Sequence, residues 1–117
     1  MIVRKVAERA AFDPKKMGKS DLVRSDHLFA GLNAFEPGQV HEPHAHCDRD
    51  KLYVVLEGRG EVTIGDESGP IGPGEVALAP ADVVHSLRND GPGRLLVLTV
   101  MAPPPAKDRK CGPFPSR

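Results

Sequence analysis

Histidines are concentrated in one short stretch of this 117-residue chain, HEPHAHCDRDK at residues 41–51. If the stretch is extended, its side chains alternate between two faces, so His44 and His46 point to the same side. Two imidazoles on one strand need a third ligand from elsewhere, and His85 offers it from a later segment. Imidazole nitrogens suit zinc, copper, iron or nickel, and three histidines leave coordination positions open for water or substrate. The pattern therefore predicts a metal site that could support chemistry on a bound molecule.

These histidines fall in two motifs of regular spacing. The first runs from Gly38 across five residues to His44-Ala45-His46 and closes at Gly58. The second contains, in order, Gly74, five residues, Pro80-Ala81-Asp82, two residues, His85, three residues and Asn89. Both motifs resemble those of the small single-domain cupins. The resemblance implies a jelly-roll-like β-barrel with a metal pocket at His44, His46 and His85. It does not define the reaction, because cupins host many unrelated activities.

The chain departs from the cupin motifs at two positions. Asp82 replaces a glycine, which affects only a turn, since aspartate tolerates unusual backbone angles. Lys51 occupies the position of the glutamate that is the fourth metal ligand in the family. Four accounts of this lysine stay open: a plain three-histidine site with Lys51 extended toward the barrel mouth, a carboxylate from Asp50 after a register shift, a carboxylate from Glu42, or a neutral Lys51 that acts in the site.

Other polar residues near the motifs have less defined roles. Tyr53, the single tyrosine, shares the inward face with Lys51 and either fills the barrel or hydrogen-bonds a ligand. Lys51 and Tyr53 are thus the candidate catalytic residues, although no catalytic residue is established by the pattern. His27 and His41 match neither motif and are expected at the surface or behind the metal ligands.

Short apolar segments separated by turns indicate an all-β domain with no second domain. The 12 glycines and 12 prolines recur between these segments rather than in one low-complexity run. The strand-like segments are 27–35, 40–46, 51–58, 61–65, 75–80, 83–89 and 94–101. The apolar composition of 94–101 predicts a strand covered on both faces. Pro73-Gly74 predicts a type II turn with Gly74 at positive φ.

The ends of the chain differ from its centre. Residues 1–26 are predicted as an approach segment, with a possible edge strand at 2–6 and a polar stretch at 12–25. Residues 27–102 form the predicted barrel. Residues 103–117 form an extended, proline-rich tail, because its five prolines lack the amide donors that a sheet requires.

Charge and cysteine content suggest the location and partners. Sixteen basic residues balance sixteen acidic ones, so neither nucleic acid nor a membrane surface is an expected partner. The lysine cluster at 15, 16 and 19 is interpreted as a solvated surface. No apolar run is long enough to span a membrane, and Cys47 and Cys111 are expected to be free thiols in a reducing cytoplasm. The resemblance, with the apolar strand 95–101, favours a homodimer.

The resemblance and the open coordination positions lead to two functional hypotheses. The first is a metal-dependent enzyme of dioxygenase, isomerase or decarboxylase type that acts on a small polar molecule. Its cofactor would be a divalent transition metal: iron, zinc, nickel, manganese or copper. The second is a non-catalytic cupin that binds or senses a metal or a small molecule.

Overall fold

The computed structural model describes residues 1–105. Within that range the chain forms nine strands and one short 3-10 helix, at Val6–Arg9. The strands are β1 Gly18–Arg24, β2 Phe29–Phe35, β3 Val40–His44, β4 Asp50–Glu57, β5 Gly60–Ile64, β6 Glu67–Ile71, β7 Val76–Ala79, β8 His85–Arg88 and β9 Leu95–Ala102. The prediction of an all-β fold is confirmed.

Two antiparallel sheets make up the domain. One has five strands in the order β1-β2-β9-β4-β7, and the other has four in the order β3-β8-β5-β6. Strand β9 lies between β2 and β4, and its apolar residues pack on both faces, as predicted. The histidines and the lysine of the two motifs lie on or beside β3, β4 and β8, so both sheets contribute to their surroundings.

The main hydrophobic core lies between the sheets. It contains buried side chains from both layers: Phe35, Tyr53, Val55, Val62, Ile71, Leu87, Leu95 and Val97. A second cluster covers the other face of the five-stranded sheet, where Ala10 and Phe12 pack against Leu32, Ala34 and Leu96. The N-terminal segment therefore covers apolar sheet surface that would otherwise face water.

Two predictions about local structure near the N-terminus are wrong. Residues 2–6 form no strand, and the 3-10 helix begins at Val6. The stretch 12–25, predicted to be only a polar approach, contains β1, which pairs with β2. The polarity of β1 follows from its position, because an edge strand needs only one apolar face. Strand β6 was also not predicted, since its residues ESGPI read as turn residues.

Two turns that carry motif residues adopt left-handed backbone angles. Gly74 has φ of 82°, as the predicted turn requires. Asp82, in place of the motif glycine, has φ of 69°. This conformation costs little for aspartate compared with most side chains, so the turn before His85 keeps its shape despite the substitution.

One prediction about the cysteines is wrong, and those about Cys111 and most of the tail fall outside the described residues. The expected free thiol at Cys47 is wrong, because Cys47 is disulfide-bonded and no described cysteine is free. Spacing along a sequence does not reveal which sulfur atoms a fold brings together. The cytoplasmic location was inferred partly from free thiols, so it stays a prediction that the cysteines no longer support. Cys111 and most of the predicted tail lie outside the described residues. Across residues 1–105, no helix has the length and apolarity needed to cross a membrane.

Candidate metal centre

Three histidines converge at one site, two of them on neighbouring strands and one in the loop after β3. His44 ends β3 and pairs directly with His85, which begins β8. His46 follows two residues after β3, and its ring centroid lies 4.9 Å from that of His44. One nitrogen from each of the three rings can be chosen so that all lie within 4.8 Å of one another. The structure thus brings together the three histidines that the sequence singles out.

Backbone carbonyls orient two of these rings. Nδ1 of His44 lies 2.8 Å from the carbonyl oxygen of Glu42, and Nδ1 of His85 lies 3.0 Å from that of Val83. A carbonyl only accepts, so each Nδ1 carries the hydrogen and donates it. In a neutral ring this leaves the lone pair on Nε2, the atom that would bind a metal.

Burial keeps the three imidazoles neutral at physiological pH. It lowers the pKa of His46 to about 3 and that of His85 to about 4, and it also lowers the pKa of His44. The Nε2 atoms of His46 and His85 are buried without a hydrogen-bond partner among the described residues. Buried polar atoms normally have a bonding partner, so these two nitrogens indicate a position where a ligand or metal ion would bind. A neutral three-imidazole set with unsatisfied nitrogens suits a divalent transition metal.

Two hydrogen bonds between loops hold His46 near His85. The backbone amide of Asp82 donates to the carbonyl of His46 at 2.7 Å. The amide of Ala81 donates to Oδ1 of Asp50 at 2.9 Å. The loop that contains His46 is therefore tied to the turn that precedes His85.

The same contacts show where the two candidate carboxylates lie. Asp50 is exposed, and one of its oxygens bonds to Ala81 instead of joining the histidines. Glu42 is also exposed and supplies its backbone carbonyl, not its carboxylate, to His44. Neither belongs to the group of ligand atoms that lie within 4.8 Å of one another.

Lys51 points into the barrel from β4. It is only 2% exposed, so of the four accounts the one in which Lys51 extends to the barrel mouth is wrong. The reason is its register: Lys51 alternates with exposed Asp50 and shares the inward face with Tyr53 and Val55. Its Nζ lies 4.9 Å from the centroid of the Tyr53 ring. Burial, followed by the charges of Lys19 and Arg49, lowers its pKa to about 7.

Tyr53 is fully buried beside the histidines. Its ring centroid lies 6.1 Å from that of His85, and its hydroxyl has no hydrogen-bond partner among the described residues. Burial raises its pKa, so the hydroxyl stays protonated and is available as a donor. Among the described residues, Lys51 and Tyr53 thus place an amine without an ion-pair partner and an unsatisfied hydroxyl in the interior that holds the histidines.

Two further residues lie near the site. His41 was expected at the surface or behind the ligands, and the second alternative fits: its ring centroid lies 4.3 Å from that of His44, and burial lowers its pKa to about 2. Lys19 was interpreted as part of a solvated cluster, yet its charge also lowers the pKa of Lys51. His41 was close to the motif, but nothing in the sequence places β1 and its Lys19 beside β3.

The last residue of the second motif has a structural role. Asn89 is fully buried, and its side-chain amide donates to the carbonyls of Phe35 at 3.1 Å and Gly93 at 2.8 Å. Its oxygen accepts from the amide of Gly91 at 3.1 Å. Asn89 therefore fixes the turn between β8 and β9.

Comparison with known proteins agrees with this description. Residues 31–101 match the family model described as Cupin domain. An uncharacterized protein of Streptomyces coelicolor, SCO3923, is 34% identical over 98 residues, which cover 84% of this chain and 89% of the relative. The crystal structure of TT1209 from Thermus thermophilus is 36% identical, with a TM-score of 0.86 over 90% of this chain and all of the other.

A further relative carries the name of an enzyme. Polyketide synthase CurC of Streptomyces cyaneus is 32% identical over 81 residues, which cover 67% of this chain and 53% of that protein. The chain thus spans about half of CurC.

Proposed function

The chain belongs to the cupin family, and we propose that it is an enzyme that holds a divalent transition metal through His44, His46 and His85. The observation that carries this proposal is the arrangement of those imidazoles: clustered, neutral, and with the Nε2 atoms of His46 and His85 buried and unsatisfied. When bound, the metal would serve as a Lewis acid with open positions for a small polar substrate or dioxygen. Dioxygenase, isomerase and decarboxylase chemistry all fit this description.

The residues around the histidines provide the rest of a reaction site. Lys51 has a pKa near neutrality, so its amine is able to give or take a proton at physiological pH. Tyr53 offers a protonated hydroxyl as a hydrogen-bond donor to the substrate. The barrel interior excludes bulk water from both groups, which strengthens their interactions with a bound molecule. The similarity to a protein named as a polyketide synthase supports an enzymatic function for this chain. It does not identify the substrate.

Metal content is the direct test of the three-histidine proposal. Protein purified without chelator should contain about one transition-metal ion per chain by elemental analysis, and His44→Ala and His85→Ala should each lose most of it. His27→Ala is the matched control, because His27 is exposed and outside the cluster. Wild-type protein that takes up no metal, or unchanged metal in both cluster variants, would refute the proposal.

A second variant separates the three-histidine site from a site with a carboxylate ligand. Asp50→Asn should keep the metal stoichiometry, because Asp50 bonds to the Ala81 amide and lies outside the histidine group. A large loss of metal in this variant, with the fold intact by circular dichroism, would instead assign a ligand role to Asp50.

A non-catalytic binding module is the alternative function, and Lys51 is the observation that favours it. A buried lysine at the family's glutamate position removes one metal ligand and adds a cation, which weakens the hold on a catalytic metal. Oxygen consumption and product formation with small thiols, phenols and keto acids distinguish the two. Metal-dependent turnover supports the enzyme, whereas saturable binding without turnover supports the module.

We also propose a homodimer that uses the edge strand β7. Val76 and Leu78 on this strand are 60% and 53% exposed, so pairing would remove apolar surface from water. Strand β9, which suggested a dimer from the sequence, lies inside its sheet and offers no free edge. Light scattering on the wild type and on Leu78→Lys would show a dimer that the variant disrupts; a monomeric wild type would refute it.

A further inference from the structure

Lys51 is a buried cation without an anionic partner among the described residues. It lies between Ala79 of β7 and Met101 of β9, and its side chain is almost fully inaccessible. None of the ion pairs found within residues 1–105 includes its amine. Its closest described interaction is with the face of the Tyr53 ring. Buried charges are normally paired, so the amine lacks the group that would normally balance it.

The charges that act on this interior are positive. Lys19 lines the same cavity as His41 and His44, and its charge lowers the pKa of Lys51. Arg49 also lowers the pKa of Lys51, although its own charge is partly offset by Asp48 at 3.1 Å. No carboxylate in the described part of the chain contributes to the pKa shift of Lys51. The interior therefore attracts negative charge from outside the chain.

The interior offers two hydrogen-bond donors, which is the number that the two oxygens of one carboxylate can use. The Lys51 amine and the Tyr53 hydroxyl lie on the same face of β4, two residues apart, and the hydroxyl has no described partner. A carboxylate accepts through two oxygens, so one ammonium and one hydroxyl satisfy it. A phosphate has more oxygens and more charge than these two donors balance.

A cavity lies beside His41 and His44. It has a volume of about 970 Å³ and is lined by residues of the N-terminal segment and of β3, including His41 and His44. Lys16 and Lys19 also line it, together with Asp13 and Glu42. The charged groups of this lining balance one another, and Lys51 is not part of the lining, so its charge is not compensated there.

From this arrangement we propose that the site binds a small organic carboxylate, with its carboxylate group held between the Lys51 amine and the Tyr53 hydroxyl. The inference deepens the proposed function, since it names the ligand class of the same site. It assigns the lysine at the family's glutamate position to ligand recognition.

Binding to metal-free protein tests this assignment separately from the metal. Propionate and malonate are the probes, and propionamide and malonamide are their uncharged counterparts, measured by calorimetry or by shifts of amide signals in NMR spectra. The wild type should prefer the acids. Lys51→Met should weaken acid binding by about tenfold or more, because it removes a charge-assisted hydrogen bond. Tyr53→Phe should weaken it by a smaller factor, and Lys15→Met, at an exposed lysine, should not change it.

The outcomes distinguish this inference from the proposed function. Equal acid affinity in the wild type and Lys51→Met would overturn it, as would equal binding of acids and amides. Absence of saturable acid binding in both metal-free and metal-loaded protein would also overturn it. Lys51-dependent acid binding in a protein that takes up no metal would keep this inference and refute the metal proposal. Metal binding that depends on the histidines, together with acid binding that Lys51→Met does not change, would keep the metal proposal and refute this inference.

Discussion

Replacing Lys51 with methionine should stabilise the protein, and by an amount that depends on pH. The pKa of Lys51 falls from 10.5 to about 7 because its amine is buried near Lys19 and Arg49. Each pKa unit corresponds to about 1.4 kcal/mol, so the protonated amine costs the folded state on the order of 5 kcal/mol below pH 7. Methionine has a similar length and no charge, so Lys51→Met removes this cost.

The sign of the pH dependence follows from proton binding. Between pH 7 and pH 10.5 the unfolded chain keeps the Lys51 proton that the folded protein has released, so stability rises with pH. From pH 7 to pH 9 this one residue should raise the free energy of unfolding of the wild type by about 2 kcal/mol. Lys51→Met lacks the group, so the difference in stability between the two proteins should shrink by that amount.

Urea unfolding of metal-free protein at pH 7, 8 and 9 measures this difference. Other titrating groups are common to both proteins and cancel, and any packing change from methionine shifts the difference equally at each pH. Lys15→Met serves as the control and should follow the wild type, because Lys15 is exposed. A constant stability difference between Lys51→Met and the wild type across this pH range would refute the reasoning.

Three further predictions concern the fold and the site. Gly58→Ala should destabilise the protein by several kcal/mol in thermal unfolding, because a Cβ at this residue, whose φ is 82°, would lie 2.1 Å from the Arg94 carbonyl oxygen. Gly69→Ala is the control and should have little effect, because a Cβ there has no atom within 4 Å. Asn89→Ala should lower the free energy of unfolding by about 2–4 kcal/mol, because it leaves two carbonyls without their donor. Bound zinc should be retained at pH 5.5 in equilibrium dialysis and lost as the pH falls toward 4, because the pKa of His85 is about 4; release near pH 6.5 would contradict this.

Motif spacing predicted much of the site because the motif residues are tied to turns and strand register. His44 and His85 are direct partners across β3 and β8, and their separation in sequence reflects that pairing. The alternation of β4 likewise predicted that Lys51 and Tyr53 share a face. These relations are local or follow from one strand pair, so a sequence reveals them.

Other features depend on contacts that spacing does not encode. The approach of Lys19 to the site requires β1 to pair with β2 at the edge of the larger sheet. Asp50 was a reasonable ligand candidate until its bond to the Ala81 amide was known. The burial of Lys51 was also hard to predict, because a lysine at the end of a strand usually reaches water. Each case depends on the three-dimensional environment of a polar group.

Lysine in place of glutamate changes the charge balance that a metal would experience. A glutamate at position 51 would supply one negative charge. In this protein, no carboxylate among the described residues contributes to the pKa shifts of the three histidines. Uncompensated charge is costly in a buried site, so a carboxylate ligand should raise the affinity for the metal, and the metal should raise the affinity for the carboxylate by the same factor.

Titration of zinc with and without saturating propionate measures this coupling. The wild type should bind zinc several-fold more tightly with propionate present. Lys51→Glu should bind zinc more tightly than the wild type on its own and should show little further gain from propionate, because the new carboxylate already supplies the charge. If propionate leaves the zinc affinity of the wild type unchanged, the anion and the metal do not share this site, and Lys51 has a role other than recognising a carboxylate beside the histidines.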